Sequence, residues 1–312
     1  MTTKLVRLLI FLLVCTSIPV MAAEKIPVSV SIAPQAFFVE KVGGERISVH
    51  VLLPPGRSPA TYAPTPDHVS QLTRSRLLFR IGVPFETALL PGIEQTVEDL
   101  EIVDTRRGIT LRRFEGDDHA HGHVGHEEEG HHDGHEDGDG ENKHAFHADE
   151  GHDPHIWLDP LLVKKQAATM RDALTAIDPL GGPFYRENCR EFEKELADLD
   201  TRIREVLAPV KGASLLVFHP SFGYFAEAYG LRQVAVEKAG KSPRGKELSR
   251  LIKLARKENV RIVFVQPQFD QHAAEKIAGA INGAVVPLDP LARDYIANME
   301  AMARIVAEAL QQ

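Results

Sequence analysis

The histidines of this 312-residue chain are spread unevenly, and their neighbours indicate what each could do. Ten lie between Glu115 and His152: His119, His121, His123, His126, His131, His132, His135, His144, His147 and His152. Close pairs such as His119 and His121, or His131 and His132, can chelate a borderline-soft cation as the chain flexes. The carboxylates among them raise the local cation concentration. Imidazole binds metal only when neutral, so capture by such a segment fades below about pH 6.5.

Three further positions stand outside this run. His155 lies in Asp153-Pro-His-Ile-Trp-Leu-Asp-Pro160, His219 ends the apolar stretch Leu216-Val-Phe, and Asp289 ends Val286-Pro-Leu. Two imidazoles and a carboxylate that met at one point would suit zinc above other common divalent ions. A lone histidine at a strand end is commonly a hydrogen-bonded polar group, and an Asp before Pro is commonly a turn former. Spacing alone does not show that the three converge.

The elements that must position these residues alternate between strand and helix. Pro27–Ile32 and Ile47–Leu53 suit strands around a helical Gln35–Val42, Thr65-Pro66 caps and opens a second helix, and Leu77–Ile81 suits another strand. Helical spacing then covers Pro160–Ile177 and Pro183–Val210. In the latter, Phe184, Tyr185, Phe192, Leu196, Leu199, Ile203 and Leu207 recur at three- and four-residue steps. A second alternating block has strands at Ser214–Phe218, Gln233–Val236, Arg261–Val265 and Ala284–Pro287. The expectation is an α/β fold of two lobes with parallel sheets, joined by one long rigid helix. Ligands in such sheets sit beyond the strands' carboxyl ends. The boundaries read as a leader over 1–23, an N-terminal lobe over 24–178 with the histidine-rich loop 115–152 inside it, a linking helix over 179–211, and a C-terminal lobe over 212–312.

Composition sets further bounds. Lys4 and Arg7, the apolar run Leu8–Val14 and the small residues before Ala23 have the order of a secretory signal peptide, which places the mature chain in the periplasm. Val14 before Cys15 argues against lipid anchoring. Cleavage leaves Cys189 alone, on a helical pattern, where a packed thiol is expected rather than a reactive one. Residues 117–153 hold thirteen Asp or Glu against one Lys, more negative charge than the whole chain's net −8. The rest of the chain is therefore not acidic, and it has no basic stripe with interleaved aromatics that would suit nucleic acid. With hardly any apolar side chains, the histidine-rich segment cannot offset its ordering entropy and is expected as a disordered or metal-ordered loop.

Five stretches resemble the zinc and manganese substrate-binding proteins of ABC importers. They are Val51-Leu-Leu-Pro-Pro-Gly56 with Thr61-Tyr-Ala-Pro-Thr-Pro66, Asp153–Leu158, Phe218–Phe225, Phe264-Val-Gln-Pro-Gln-Phe269 and Leu288-Asp-Pro-Leu291, in order over nearly the whole exported chain. The resemblance implies a metal held in the cleft between two α/β lobes, with His155, His219 and Asp289 as ligands. It also implies delivery, by a monomer, to an inner-membrane permease with its cytoplasmic ATPase. Histidine at 219 favours Zn2+ over Mn2+, since manganese-type members typically carry Glu there.

One departure matters. The family's first histidine falls where this chain has Ala60, and Ala cannot bind metal. His68, eight residues on, reads as an exposed helix residue. One coordination position is thus open to water, to His147 or His152 from the loop, or to Glu237. Two other functions remain: a zinc buffer acting chiefly through the loop, and a zinc hydrolase using an activated water. The hydrolase reading lacks an H-E-x-x-H motif and has only Glu237 as a distant base.

Overall fold

The computed structural model describes residues 24–114, 151–237, 243 and 245–311. The leader expected over residues 1–23 and the histidines from His119 to His147 lie outside the described residues.

The first lobe carries strands β1 (Ile26–Val30), β2 (Ile47–Val51), β3 (Leu77–Arg80) and β4 (Glu101–Asp104), with helices α1 (Ala33–Gly43), α2 (Pro66–Leu72) and α3 (Pro84–Thr96) between them. All pairings are parallel, in the order β2-β1-β3-β4. Val28, Val30, Leu77, Leu78 and Phe79 are wholly buried, as the inner strands of a sheet covered on both faces must be.

Helix α4 (Pro160–Ile177) starts at Asp159, whose carboxylate accepts from Leu161 N, and Pro160 fills the first helical position. A 3-10 turn at Pro179–Gly181 leads into α5 (Gly182–Leu207), and another at Ala208–Val210 leaves it. At 1.5 Å per residue, the 26 residues of α5 span roughly 39 Å. Its buried stripe comprises Tyr185, Cys189, Phe192, Leu196, Leu199, Ile203 and Leu207. Phe184, expected on that stripe, points outward with 38% exposure.

The second lobe repeats the first lobe's topology. Strands β5 (Ser214–Val217), β6 (Arg232–Ala235), β7 (Ile262–Val265) and β8 (Ala284–Pro287) run parallel in the order β6-β5-β7-β8. Helices α6 (Gly223–Tyr229), α7 (Lys246–Lys257) and α8 (Gln271–Ala280) connect them, and α9 (Tyr295–Leu310) ends the fold. Gly230, at φ 69°, takes the left-handed conformation that stops α6.

Helix α9 does not stay with its own sheet. It packs on α5, and its Tyr295 meets Phe38 of α1 edge-on at 4.8 Å between ring centres. Phe38 in turn contacts Phe192 of α5. One continuous apolar core therefore runs through both lobes, from Val28 to Val217 and Val306, while a smaller one lies under α7 and α8. Burying a large apolar side chain is worth about 1.5–3 kcal/mol. A junction carrying several of them holds the two lobes at a set spacing. Among the described residues no helix is long and apolar enough to cross a membrane.

Cys189 is 1% exposed in this junction, and burial with the nearby Glu193 carboxylate pushes its thiol up to about 12. A thiol held protonated reacts poorly. Ellman's reagent at pH 8 should leave the native Cys189 thiol unmodified and titrate it after unfolding; rapid native labelling would contradict the packing.

Candidate metal centre

The strand ends of the second lobe supply most of the polar groups at its crevice. His219 follows β5, Glu237 follows β6, Gln266 and Gln268 follow β7, and Asp289 follows β8. β5 and β7, where the strand order reverses, frame the place where an open sheet binds its ligand. The equivalent end of the first lobe is closed by an internal ion network instead. Arg80 bonds Glu86 and Asp104, Arg106 bonds Asp104, and Glu86 also accepts from Ile81 N and Gly82 N.

His219 is fixed on several sides. Its Nδ1 lies 3.0 Å from Glu237 Oε2, its ring stacks on Phe269 at 4.6 Å, and its carbonyl accepts from Gln266 Nε2 at 2.9 Å. Gln266 Nε2 also donates to Ser221 Oγ, which braces the turn after the histidine.

His155 comes from the first lobe, between the ends of the histidine-rich segment and a 3-10 turn at Ile156–Leu158. Its Nδ1 lies 2.7 Å from Asp153 Oδ1, which also accepts from His155 N at 3.0 Å. Trp157, 1% exposed, packs at 5.0 Å from the His155 ring and donates Nε1–H to Pro290 O at 2.7 Å. That bond ties the segment bearing His155 to the turn bearing Asp289.

The two imidazoles meet across the junction with ring centres 5.7 Å apart. Rings sharing one tetrahedral zinc, with Zn–N near 2.1 Å, have centres roughly 5 Å apart, so little movement separates this pair from a shared ion. A carboxylate takes Nδ1 of each ring, and this leaves Nε2 as the free nitrogen. Neither Nε2 has a partner among the described residues, and neither is sealed away as a buried unpaired atom, so both stay open to a ligand.

Asp289 is not assembled with them. Its Oδ1 accepts from Gln268 Nε2 at 2.9 Å and Leu291 N at 3.0 Å, and no three His, Cys, Asp or Glu among the described residues stand close enough to hold an ion. Glu237, weighed from sequence as an auxiliary ligand, instead accepts the His219 Nδ1 proton. Its partner lies eighteen residues away on a neighbouring strand end, a pairing that only the parallel register reveals.

His152 pairs its backbone with Arg113, and its Nδ1 is buried without a hydrogen bond. Ala60 is exposed. His68 is half-buried rather than exposed: its Nδ1 lies 2.6 Å from Thr65 Oγ1 and 2.9 Å from Tyr62 OH, so it caps α2. The Nδ1 partners of both site histidines went unread in the sequence, although Asp153 sits only two residues before His155, the reach of an Asx turn.

Two parallel-sheet lobes braced on one long helix, with an imidazole from each at their junction, define a two-lobed binding protein with a nitrogen-rich interlobe site. Residues 28–309 match the family model of the periplasmic component A of zinc-uptake complexes, ZnuA, and the chain belongs to that family. The high-affinity zinc uptake system protein ZnuA of Yersinia pestis is 27% identical, with 90% of this chain and 88% of that one covered. Its Bacillus subtilis counterpart is 26% identical over 86% and 79%. Among solved structures, a ZnuA crystal structure superposes with a TM-score of 0.78 at 33% identity, covering 92% of this chain and 100% of that one. A zinc-bound deletion mutant of ZnuA gives the same TM-score and identity and covers 98% of its chain.

Burial pushes the His155 imidazole below its ordinary 6.5, and Asp153 opposes the shift without cancelling it. The folded chain thus binds this proton less readily than the unfolded one. The associated stability is complete above pH 6.5 and is lost as pH falls from there toward the lowered folded value. Thermal melting of the metal-stripped protein between pH 7.5 and 5.5 should show a decline that shrinks in His155→Gln; equal declines would contradict the buried neutral ring.

Proposed function

We propose that this protein captures Zn2+ in the interlobe cleft through Nε2 of His155 and Nε2 of His219, and delivers it to an inner-membrane ABC permease with its cytoplasmic ATPase. The observation that carries the reading is the pair of imidazoles, one from each lobe, whose other nitrogens are both engaged by carboxylates. A carboxylate on Nδ1 fixes the ring's orientation, selects the tautomer that leaves Nε2 unprotonated, and raises its basicity toward metal. Zinc accepts such nitrogen donors at four-coordinate sites.

Asp289 is the third ligand in this reading. Its Oδ2 carries no hydrogen bond from a described residue, and the Trp157–Pro290 bond keeps its turn beside the His155 segment. Binding of the ion turns the Asp289 side chain from its Gln268 and Leu291 partners toward the two imidazoles. Water takes the place opened by Ala60. Three protein ligands and an exchangeable fourth suit a carrier that must release its cargo.

The remainder of the proposal follows from family and sequence. The chain works in the periplasm after removal of its leader, as a monomer. Its role is transport rather than catalysis, as its membership of a zinc-uptake family supports. The histidine-rich segment, with its ten imidazoles, gathers zinc at lower affinity and selectivity than the cleft.

The test is a competitive zinc titration of the stripped protein, run on the full chain, on a variant lacking residues 117–149, and on His219→Ala and Asp289→Asn in the shortened background. The shortened protein should keep one tight site, and His219→Ala should weaken it by 10²-fold or more, about 2.7 kcal/mol. Asp289→Asn should weaken it less. Loss of tight binding with the segment itself would make the protein chiefly a zinc buffer and overturn the receptor reading.

A further inference from the structure

The two ends of the histidine-rich segment meet at a place where nothing in the coordination of a metal requires them. Asp153 N donates to Arg112 O at 2.9 Å and Phe114 N to Gly151 O at 3.3 Å, with an antiparallel bridge between Arg113 and His152. Residues 112–114 and 151–153 thus form a short two-stranded stem leading directly into His155.

This stem belongs to the first lobe, yet it is fastened to the second. Tyr224 of α6 places its hydroxyl between the two strands, accepting from Arg112 N at 3.0 Å and donating to Asp153 O at 3.1 Å. The Arg112 guanidinium lies 5.6 Å from the Tyr224 ring centre, contacts Glu227 of α6 at 3.3 Å, and donates to Asp153 Oδ2 at 3.2 Å. Asp153 is wholly buried, and its other oxygen is the one that holds His155 Nδ1. The approach is closest at Gly223, where a Cβ would fall 1.3 Å from Arg112 Nη1 and 2.7 Å from Asp153 Oδ2. Helix α6 itself starts four residues after His219.

The connections form a closed circuit. His155 is held by Asp153, Asp153 by Arg112 and Tyr224, and Tyr224, like the Glu227 that Arg112 also contacts, stands on a helix whose preceding turn carries His219. We propose that Arg112, Tyr224 and the side-chain-free position at Gly223, which the guanidinium fills, form an interlobe clasp that positions His155 against His219. Residues well outside a metal's reach would then set how strongly the cleft retains zinc. The inference rests on the reading that His155 and His219 ligate the ion. Arg112 and Tyr224 are positioning residues: neither needs to touch metal. The buried Tyr224 phenol, pushed up to about 12, keeps the proton it donates throughout the physiological range. The guanidinium fork serves Asp153 and Glu227 together, which an ammonium at one point cannot do equally well.

The experiment uses the full exported chain, with the fluorescence of its single tryptophan, Trp157, as the reporter of cleft filling in competition with a zinc chelator. Arg112→Met and Tyr224→Phe should each weaken zinc binding 10- to 100-fold, the range seen when partners of metal-bound histidines are removed. Arg112→Lys should recover part of that loss, and Gly223→Ala should behave like Arg112→Met. The discriminating readout is a cycle with His155→Ala. Once His155 is gone, Arg112→Met should produce no further loss, because the clasp acts through that ring. Circular dichroism and melting of the stripped variants identify any that fail to fold, and the conclusion is then drawn from Tyr224→Phe and Arg112→Lys. Unchanged affinity in folded Arg112→Met and Tyr224→Phe, or equal losses with and without His155, would overturn the clasp. Unchanged affinity in His155→Ala itself would instead overturn the ligand assignment on which the clasp depends.

Discussion

An imidazole that is to bind zinc must offer an unprotonated nitrogen at a fixed point, and it does so reliably only when its other nitrogen is committed elsewhere. Asp153 on His155 and Glu237 on His219 meet this requirement at 2.7 and 3.0 Å. Much of the surrounding structure serves to keep those two carboxylates in place. Asp153 is wholly buried and would be costly to leave there unpaired, so the backbone of His155 and the guanidinium of Arg112 surround it. Glu237 is 7% exposed, and its backbone N–H bonds Phe218 O, the residue before the histidine it orients.

The scaffold supplies the rest by repetition. Each lobe runs its sheet in the same order, but the first fills its strand ends with the Arg80, Glu86 and Asp104 network, while the second sets His219, Glu237 and Asp289 at its own. The first lobe contributes a histidine instead from the segment that precedes α4. Two groups from separate lobes hold a useful distance only if the lobes do. The shared core, the 26-residue α5, and the return of α9 to α1 provide that constraint. The contact of Trp157 with Pro290 adds a polar tie at the cleft itself.

The fold was largely legible in the sequence because apolar runs and helical stripes report burial directly. The strand at Leu77, the cap at Thr65 and the stripe from Tyr185 to Leu207 all stand where periodicity puts them. Phe184 lies at the edge of the stripe, 38% exposed, while Tyr185 beside it is wholly buried. The site was legible in part. His155 and His219 are recognisable from their motifs, and they do meet. The Glu237 partnership was not, because it joins residues brought together by strand register rather than by spacing. His68 illustrates the same limit in a local setting: its ring turns back onto Tyr62 and Thr65, so a half-buried capping role replaces the exposed one. Nor could spacing show that Asp289 would spend one oxygen on Gln268 and its own turn.

The central claim is that two oriented imidazoles, one from each lobe, hold the ion. Zinc-edge X-ray absorption on the variant lacking residues 117–149, loaded with one equivalent of zinc, addresses it directly. The account predicts a shell of nitrogen and oxygen donors near 2.0–2.1 Å with the outer scattering of two imidazoles, falling to one imidazole in His219→Ala. A spectrum without imidazole scattering, or one unchanged by that substitution, would contradict it.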